Sequence, residues 1–382
     1  MPKPLKQAVL VMLLVLVSSC NSIGQEQAGG PSPQVLDESE LIVLAKRPGR
    51  MLIERAQELS YDLRRVDDLP ELDDVLVTLG IPPGKDIPQA IAEIEAAVPG
   101  VTAGAHHLYT VQSDPTASPS GAAMISWPRG GCKARMRIGL IDTGLPADDP
   151  LVQAGRVVQE QFVAPGRAPR SDHGALMARL LVGEGRMTGA QVFSANVVDP
   201  RLARGETAGV SAILNAVNWL RAQDVKVANI SLAGPRNKLL NRGLGRAAEA
   251  GMIIVAAAGN QGPAAAPQYP AAFPFVIAAT AVGQDGKVFS NAVQGAHIDV
   301  AAPGVDIVVS GSNGLRILSG TSAAAPFVTS SIAVDPRLAG ASVTRARGVL
   351  ARGARDLGAP GPDPVFGAGL VQAPGACAPG LF

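Results

Sequence analysis

Two hydrophobic rhythms run along this chain of 382 residues. From about residue 136 onward, short aliphatic runs recur at 137–141, 191–198, 227–232, 252–258 and 276–281. Runs of that length with little polar alternation read as strands buried on both sides. Between several of them, as at 211–223 and 239–250, apolar residues fall at helical spacing. Alternating strands and helices predict an α/β unit, a doubly wound parallel sheet with helices on both faces. A sheet of that kind holds its ligands at the carboxyl ends of its strands.

The part before residue 112 follows another rhythm. Residues 41–45, 61–66 and 75–79 read as strands and residues 51–59 as a short helix. Asp86 can cap a second helix, whose apolar positions Ile87, Ile91, Ile94 and Val98 recur at helical spacing. A last strand follows Pro99-Gly100. The order β-α-β-β-α-β resembles a small ferredoxin-like α+β domain, here spanning 39–112. That fold hosts many functions and names none of them. Residues 113–131, rich in Ser, Pro, Gly and Ala, form a linker of the kind that is readily nicked. The larger unit then occupies 132–382.

The N-terminus has a third character. Lys3 and Lys6 precede an unbroken apolar run from Ala8 to Val17, too short to span a bilayer but suited to a secretory signal. Val17-Ser18-Ser19-Cys20 resembles a bacterial lipobox. The resemblance implies a signal peptide at 1–20 and Cys20 as the lipidated first residue of an exported, membrane-anchored lipoprotein. Asn21 stands where an aspartate would imply retention in the inner membrane, so sorting leans outward. Residues 21–38 begin as a Gly/Pro/Gln/Ser tether with nothing to bury.

Composition narrows the field. Hydrophobic residues make up 47% but aromatics only 3%, so Ala, Gly and Val carry the core and favour close helix–sheet packing. A net charge of +1 leaves no footprint for nucleic acid or an anionic surface.

Four polar positions in the larger unit go beyond what a core needs. Asp142 ends the first aliphatic run, before Thr143-Gly144. His173 heads an Ala/Leu/Met helix, Asn260 closes the run at 253–258, and Ser322 lies in the stretch LSGTSAAAPFV at 318–328. Taken singly, they read as a turn aspartate, a helix-start histidine, a left-handed turn asparagine and a small-residue turn before a core helix. Taken together, they match one mechanism. A serine hydroxyl needs a histidine to take its proton, and the histidine needs a carboxylate to hold its tautomer. The oxyanion then formed needs a fixed donor. The chain order Asp, His, Ser is that of subtilisin.

Residues 136–373 resemble a subtilisin-like serine peptidase domain of the subtilase family. The matching motifs are IDTG at Asp142, DHG at His173, NISLAG at 229–234, AAAGN at Asn260 and SGTSAAAP at Ser322, with DVAAPGVDI at 299–307 in support. The resemblance implies a serine endopeptidase with Asp142 as orienting carboxylate, His173 as general base and then acid, and Ser322 as nucleophile. Asn260 would donate to the oxyanion beside the Ser322 N–H. Ser231, Leu232, Ala233 and Gly234 would pair with an extended polypeptide substrate. Ala257, Ala258 and Gly259 would line a small apolar pocket for the side chain before the cleaved bond. The 39–112 domain resembles the inhibitory propeptide of this family, which implies a zymogen inhibited by its own N-terminal domain. Its end near His106-His107-Leu108-Tyr109 would enter the cleft, so the two histidines read as a strand end and not as a metal site. No cofactor and no essential metal are expected, because Asp148 and Asp149 lack the companion ligands of a calcium site. Ala175 and Ala323 depart from the threonine and methionine usual in the family, without touching the proton-transfer groups. Cys132 and Cys377 bracket the unit, and in an exported protein they would form a disulfide. The alternative from another class is a catalytically silent binding or chaperone-like lipoprotein on the same fold.

Overall fold

The computed structural model describes residues 34–111, 121–163, 172–199, 207–311 and 314–377. The expected signal peptide, Cys20, most of the tether and residues 113–120 of the linker lie outside the described residues.

The first unit has the strands and helices that its rhythm predicts. β1 (Glu40–Lys46), α1 (Arg50–Glu58), β2 (Asp62–Leu69), β3 (Asp74–Gly80), α2 (Ile87–Ala97) and β4 (Thr102–Gly104) follow in order. The sheet is antiparallel, in the order β2-β3-β1-β4. Asp86 caps α2 by accepting the Gln89 N–H, and the Gln89 side chain accepts the Asp86 N–H, a reciprocal capping box. β1 is apolar on both sides because both sides are covered. Leu41 and Val43 face α1 and α2, while Ile42 and Leu44 join the core of the larger unit.

β5 (Leu108–Val111) does not belong to that sheet. It leaves the first unit and enters a small antiparallel sheet of the second.

In the second unit, β6 (Cys132–Lys133), β7 (Ile138–Asp142), α3 (Pro150–Gln153), β8 (Val157–Gln161) and α4 (His173–Val182) come first. β9 (Met187–Thr188), β10 (Val192–Asn196), β11 (Val198–Asp199), β12 (Thr207–Gly209) and α5 (Val210–Ala222) follow. β13 (Val227–Ile230), β14 (Leu232–Ala233), α6 (Lys238–Glu249), β15 (Ile253–Ala257), β16 (Val276–Val282) and β17 (Val300–Pro303) lead to a hairpin. That hairpin is β18 (Ile307–Gly311) and β19 (Gly314–Leu318), and α7 (Thr321–Ala333) and α8 (Val343–Gly353) complete the helices.

Seven strands form one parallel sheet in the order β17-β16-β15-β13-β7-β10-β8. α4, α7 and α8 pack on one face, α5 and α6 on the other, and the sheet of the first unit lies outside α5 and α6. The strand order reverses between β7 and β13, which marks the carboxyl ends of those strands as the place for a site. Two expected strands are each cut in two. The run at 191–198 breaks at Val197, whose N–H reaches the Asp142 carbonyl, and the run at 227–232 breaks at Ser231. In both cases the chain turns from the large sheet into the small one, β11-β12-β5-β14. Cys132 and Cys377 form a disulfide across 245 residues.

Candidate active site

Asp142 is the last residue of β7 and has no exposed surface. Its Oδ1 accepts the Thr143 N–H at 2.7 Å and lies 2.7 Å from His173 Nδ1. His173 opens α4, and Gly174 shows why the helix starts there. The Gly174 N–H donates to Thr143 Oγ1 at 2.7 Å, and a Cβ on Gly174 would come within 2.0 Å of the Thr143 carbonyl oxygen. Only glycine lets the start of α4 lie on the turn after β7. The DTG and DHG motifs are thereby locked to each other.

The other face of the imidazole points at Ser322, with Nε2 3.2 Å from Oγ. Ser322 is the second residue of α7. Gly320, just before the helix, has φ of 146°, within the range that side chains rarely adopt. All thirteen residues of α7 are buried, Pro326 among them. Pro326 has no N–H for the carbonyl four residues back, which is that of Ser322. Ser231 Oγ donates to this carbonyl at 3.4 Å. The hydroxyl of Ser231 is in turn held by Asn229 Nδ2 at 2.9 Å, and Asn229 Oδ1 accepts from Thr329 Oγ1 on α7. The proline therefore exchanges a helical bond for one that ties α7 to the break after β13.

Asn260 closes the turn after β15, beside the start of α7. Its Oδ1 accepts from the Thr321 N–H at 3.1 Å and from Thr321 Oγ1 at 2.9 Å, and Thr321 Oγ1 accepts the Gly259 N–H at 3.0 Å. These bonds fix the amide with its oxygen towards Thr321 and its NH2 on the opposite side. Gly259 is itself left-handed, with φ of 108°. Ala257 and Ala258 are buried, the first ending β15.

The structure thus brings Asp142, His173, Ser322 and Asn260 to one place. Thr143, Thr321, Asn229 and Ser231 position them, a set that the sequence reading did not single out for this role. The signal was there, since all four lie inside the IDTG, NISLAG and SGTSAAAP motifs.

The cleft segment Ser231–Gly234 carries β14, and β5 of the N-terminal unit already pairs with it. Leu232 faces Val111 and Ala233 faces Thr110 in antiparallel register. On its other side β5 pairs with β12, Thr207 facing Thr110, Ala208 facing Tyr109 and Gly209 facing Leu108. Tyr109 is fully buried, and burial pushes its hydroxyl well above the usual phenol range. The hydroxyl donates to the Pro235 carbonyl at 3.1 Å, and a Cβ on Gly234 would come within 2.5 Å of the ring. Below this strand Asp74 of β3, with no exposed surface, takes Arg242 at 2.6 and 2.9 Å and Arg246 at 3.1 Å, both from α6. Burial raises the Asp74 carboxyl against the pull of these two cations.

Among the described residues no cluster of three or more His, Cys, Asp or Glu side chains could hold a metal. Asp149 is committed elsewhere, with Oδ1 capping α3 through the Leu151 N–H and Oδ2 paired with Arg179 at 2.7 Å.

The model of the Subtilase family matches residues 134–369. Subtilisin DY of Bacillus licheniformis is 31% identical over 212 residues, covering 53% of this chain and 76% of that protein. The minor extracellular protease Epr of Bacillus subtilis is 26% identical over 257 residues, covering 65% of this chain but only 39% of Epr. Among solved structures, fervidolysin from Fervidobacterium pennivorans, a keratinolytic enzyme related to subtilisin, superposes with a TM-score of 0.72 at 20% identity. That superposition covers 90% of this chain and 62% of fervidolysin, a likeness of fold.

Proposed function

Because the chain belongs to the subtilase family of serine peptidases, we propose that it hydrolyses internal peptide bonds through Asp142, His173 and Ser322. One observation carries the reading: an imidazole buried between a carboxylate at 2.7 Å and a serine hydroxyl at 3.2 Å, at the carboxyl end of a parallel sheet. His173 Nε2 takes the Ser322 proton as Oγ attacks the scissile carbonyl, and later hands it to the leaving amine. Asp142, already bonded to Nδ1, favours the imidazolium that forms in between. The oxyanion is received by Asn260 Nδ2 and by the Ser322 N–H, which lies in the first turn of α7 where helix donors have no partner within the helix. The chemistry draws on no metal, and a chelator is expected to leave activity unchanged.

The N-terminal domain is read as the inhibitor of this site. β5 occupies the slot between β12 and β14 where an extended substrate would add a strand. The register sets Val111 against Leu232, one residue from Ser231, whose hydroxyl bonds the carbonyl of Ser322. The bond that is cut in processing is therefore expected to follow Val111 or Gln112. An aromatic residue at the position of Tyr109 is the expected preference in peptide substrates, with small apolar residues at the cut. Export is proposed from the N-terminal signal and from the extracellular Epr, and anchoring through Cys20 from the lipobox.

Labelling with a fluorophosphonate probe tests the reading. The processed chain is expected to react at Ser322 and the Ser322→Ala chain to stay unlabelled. A processed native chain that takes up no probe would leave only the silent binding protein. N-terminal sequencing checks the cut, with Gln112 or Ser113 expected as the new first residue.

A further inference from the structure

The adjacent residues His106 and His107 join the N-terminal sheet to β5, and hydrolysis uses neither ring. Both rings face helix starts of the peptidase unit. His106 is buried, with Nδ1 2.5 Å from Glu40 Oε1 and Nε2 2.8 Å from Ser211 Oγ. Its Nε2 also accepts the Ser211 N–H at 3.4 Å, near the N-terminus of α5. His107 is half-buried, and its Nδ1 lies 3.2 Å from Asn237 Nδ2. The Asn237 amide cannot turn over. Its Oδ1 caps α6 by accepting the N–H groups of Leu239 and Leu240 at 2.8 and 3.1 Å, and its Nδ2 also donates to the Ala105 carbonyl at 3.0 Å. A fixed NH2 donor requires an acceptor opposite, so His107 Nδ1 carries no proton in the docked state. A proton there would set N–H against N–H. It would also add charge at the N-terminus of α6, where partial positive charge already gathers.

Among the described residues, no ion pair or hydrogen bond brings a carboxylate to His107. On β1, Glu40 is shared by His106 and by Arg64 at 3.6 Å. Glu95 of α2 is held by Lys238 at 2.5 Å and by the Ala103 N–H. Asp37, ahead of β1, is held by the Ser39 N–H and by Arg64. Neither α5 nor α6 has an acidic residue in its first turn. Burial, and then the nearby His106, hold the His107 imidazole below its ordinary pKa of 6.5.

We infer that His107 and Asn237 form an acid-released latch: proton uptake on His107 undocks segment 105–111 from the cleft. The step rests on reading the N-terminal domain as the inhibitor, since undocking matters to catalysis only if β5 blocks the site. The sign follows from the lowered pKa. The docked state binds the proton less well than the open one, so docking is at full strength above about pH 6.5 and weakens as the pH falls below it. At about pH 5.5 an open histidine of ordinary pKa is protonated roughly ten to one, so the opening constant rises by as much as about tenfold, the limit for a docked ring that takes no proton.

The test uses the full chain carrying Ser322→Ala, which cannot cut itself. Hydrogen exchange of the amides in 105–111, corrected for the intrinsic pH dependence of exchange, reports the opening constant between about pH 5.5 and 7.5. A rise at the acid end, of up to about tenfold, is expected. His107→Asn keeps an acceptor for the Asn237 NH2 without titrating and is expected to flatten the rise. Asn237→Asp keeps the cap and faces the imidazolium with a carboxylate, which is expected to flatten or reverse it. Equal opening at both ends of the range would overturn the latch. So would an undiminished rise in either variant. Fluorophosphonate labelling of the chain with Ser322 intact and its N-terminal domain still bound, cut or uncut, separates the two readings: acid opening without faster labelling would sink the inhibitor reading and leave the latch standing.

Discussion

His173 and His106 each lie between a carboxylate and a serine hydroxyl, yet catalysis is proposed for only one of them. In each set the serine is the second residue of a helix, Ser322 on α7 and Ser211 on α5. The contacts around His106, 2.5 Å to Glu40 and 2.8 Å to Ser211, are the shorter ones. Around His173 they are 2.7 and 3.2 Å. Hydrogen-bond length therefore does not separate a relay from a structural set. The surroundings of the serine do. Ser211 gives its own backbone N–H to the imidazole, so that donor is not left for an oxyanion. At Ser322 the neighbouring Thr321 N–H is tied to Asn260 and the Ser322 carbonyl to Ser231, which orients the first turn of α7 and leaves the next N–H beside the cleft. The carboxylate partners differ as well. Asp142 and His173 are locked by the contact of Gly174 with Thr143, whereas Glu40 and His106 both come from the domain proposed to leave.

Replacing the serines breaks the comparison most sharply. Ser322→Ala is expected to lower kcat by about 10⁶-fold, the loss found for the corresponding serine of subtilisin. Ser211→Ala, assayed on processed enzyme freed of its N-terminal domain, is expected to stay within about twofold. A large loss from Ser211→Ala would mean that the two sets are not different in kind. The carboxylates come next: Asp142→Ala should cost about 10⁴-fold in kcat, whereas Glu40→Gln, carried by the separated N-terminal domain, should change only how tightly that domain inhibits. Asn260→Ala tests the donor side, with an expected loss of about 10²–10³ in kcat and little change in KM. A loss confined to KM would place Asn260 in substrate binding and not at the oxyanion. The smallest effect sharpens the structural role of the second set. Ser211→Ala removes one hydrogen bond of about 1 kcal/mol, so the separated N-terminal domain should inhibit processed enzyme about fivefold less tightly.

The two sets were unequally legible in the sequence. Asp142, His173, Asn260 and Ser322 stand inside short motifs whose glycines and small residues are there for backbone reasons, as at Gly174 and Gly320. A pattern of that kind survives in one dimension. Glu40 and Ser211 carry no such marker, lying 66 and 105 residues from His106 at ordinary strand and helix starts. The two breaks at Val197 and Ser231 were hidden for a related reason. Each interrupts a run that is apolar on both sides of the break, because the chain passes from one buried sheet to another. By sequence position β5 ends the first domain. The propeptide resemblance already implies that this end enters the cleft, but its pairing with β12 and β14 could be shown only by partners distant in sequence. Pro326 made sense once the Ser231 hydroxyl was seen on the carbonyl that the proline leaves without its helical donor.

The disulfide between Cys132 and Cys377 has a consequence for life among copies of the same molecule. Under the proposed cut the peptidase unit would gain a second chain end, and chain ends are where a fold opens most readily. A peptidase in solution meets its own kind as often as any substrate, so each frayed end is food for a neighbour. Sewing one margin of the unit to the other lets neither peel away alone. The bond then acts less as ballast for the folded state than as a guard on shelf life, and its removal should show first as faster self-digestion in concentrated enzyme.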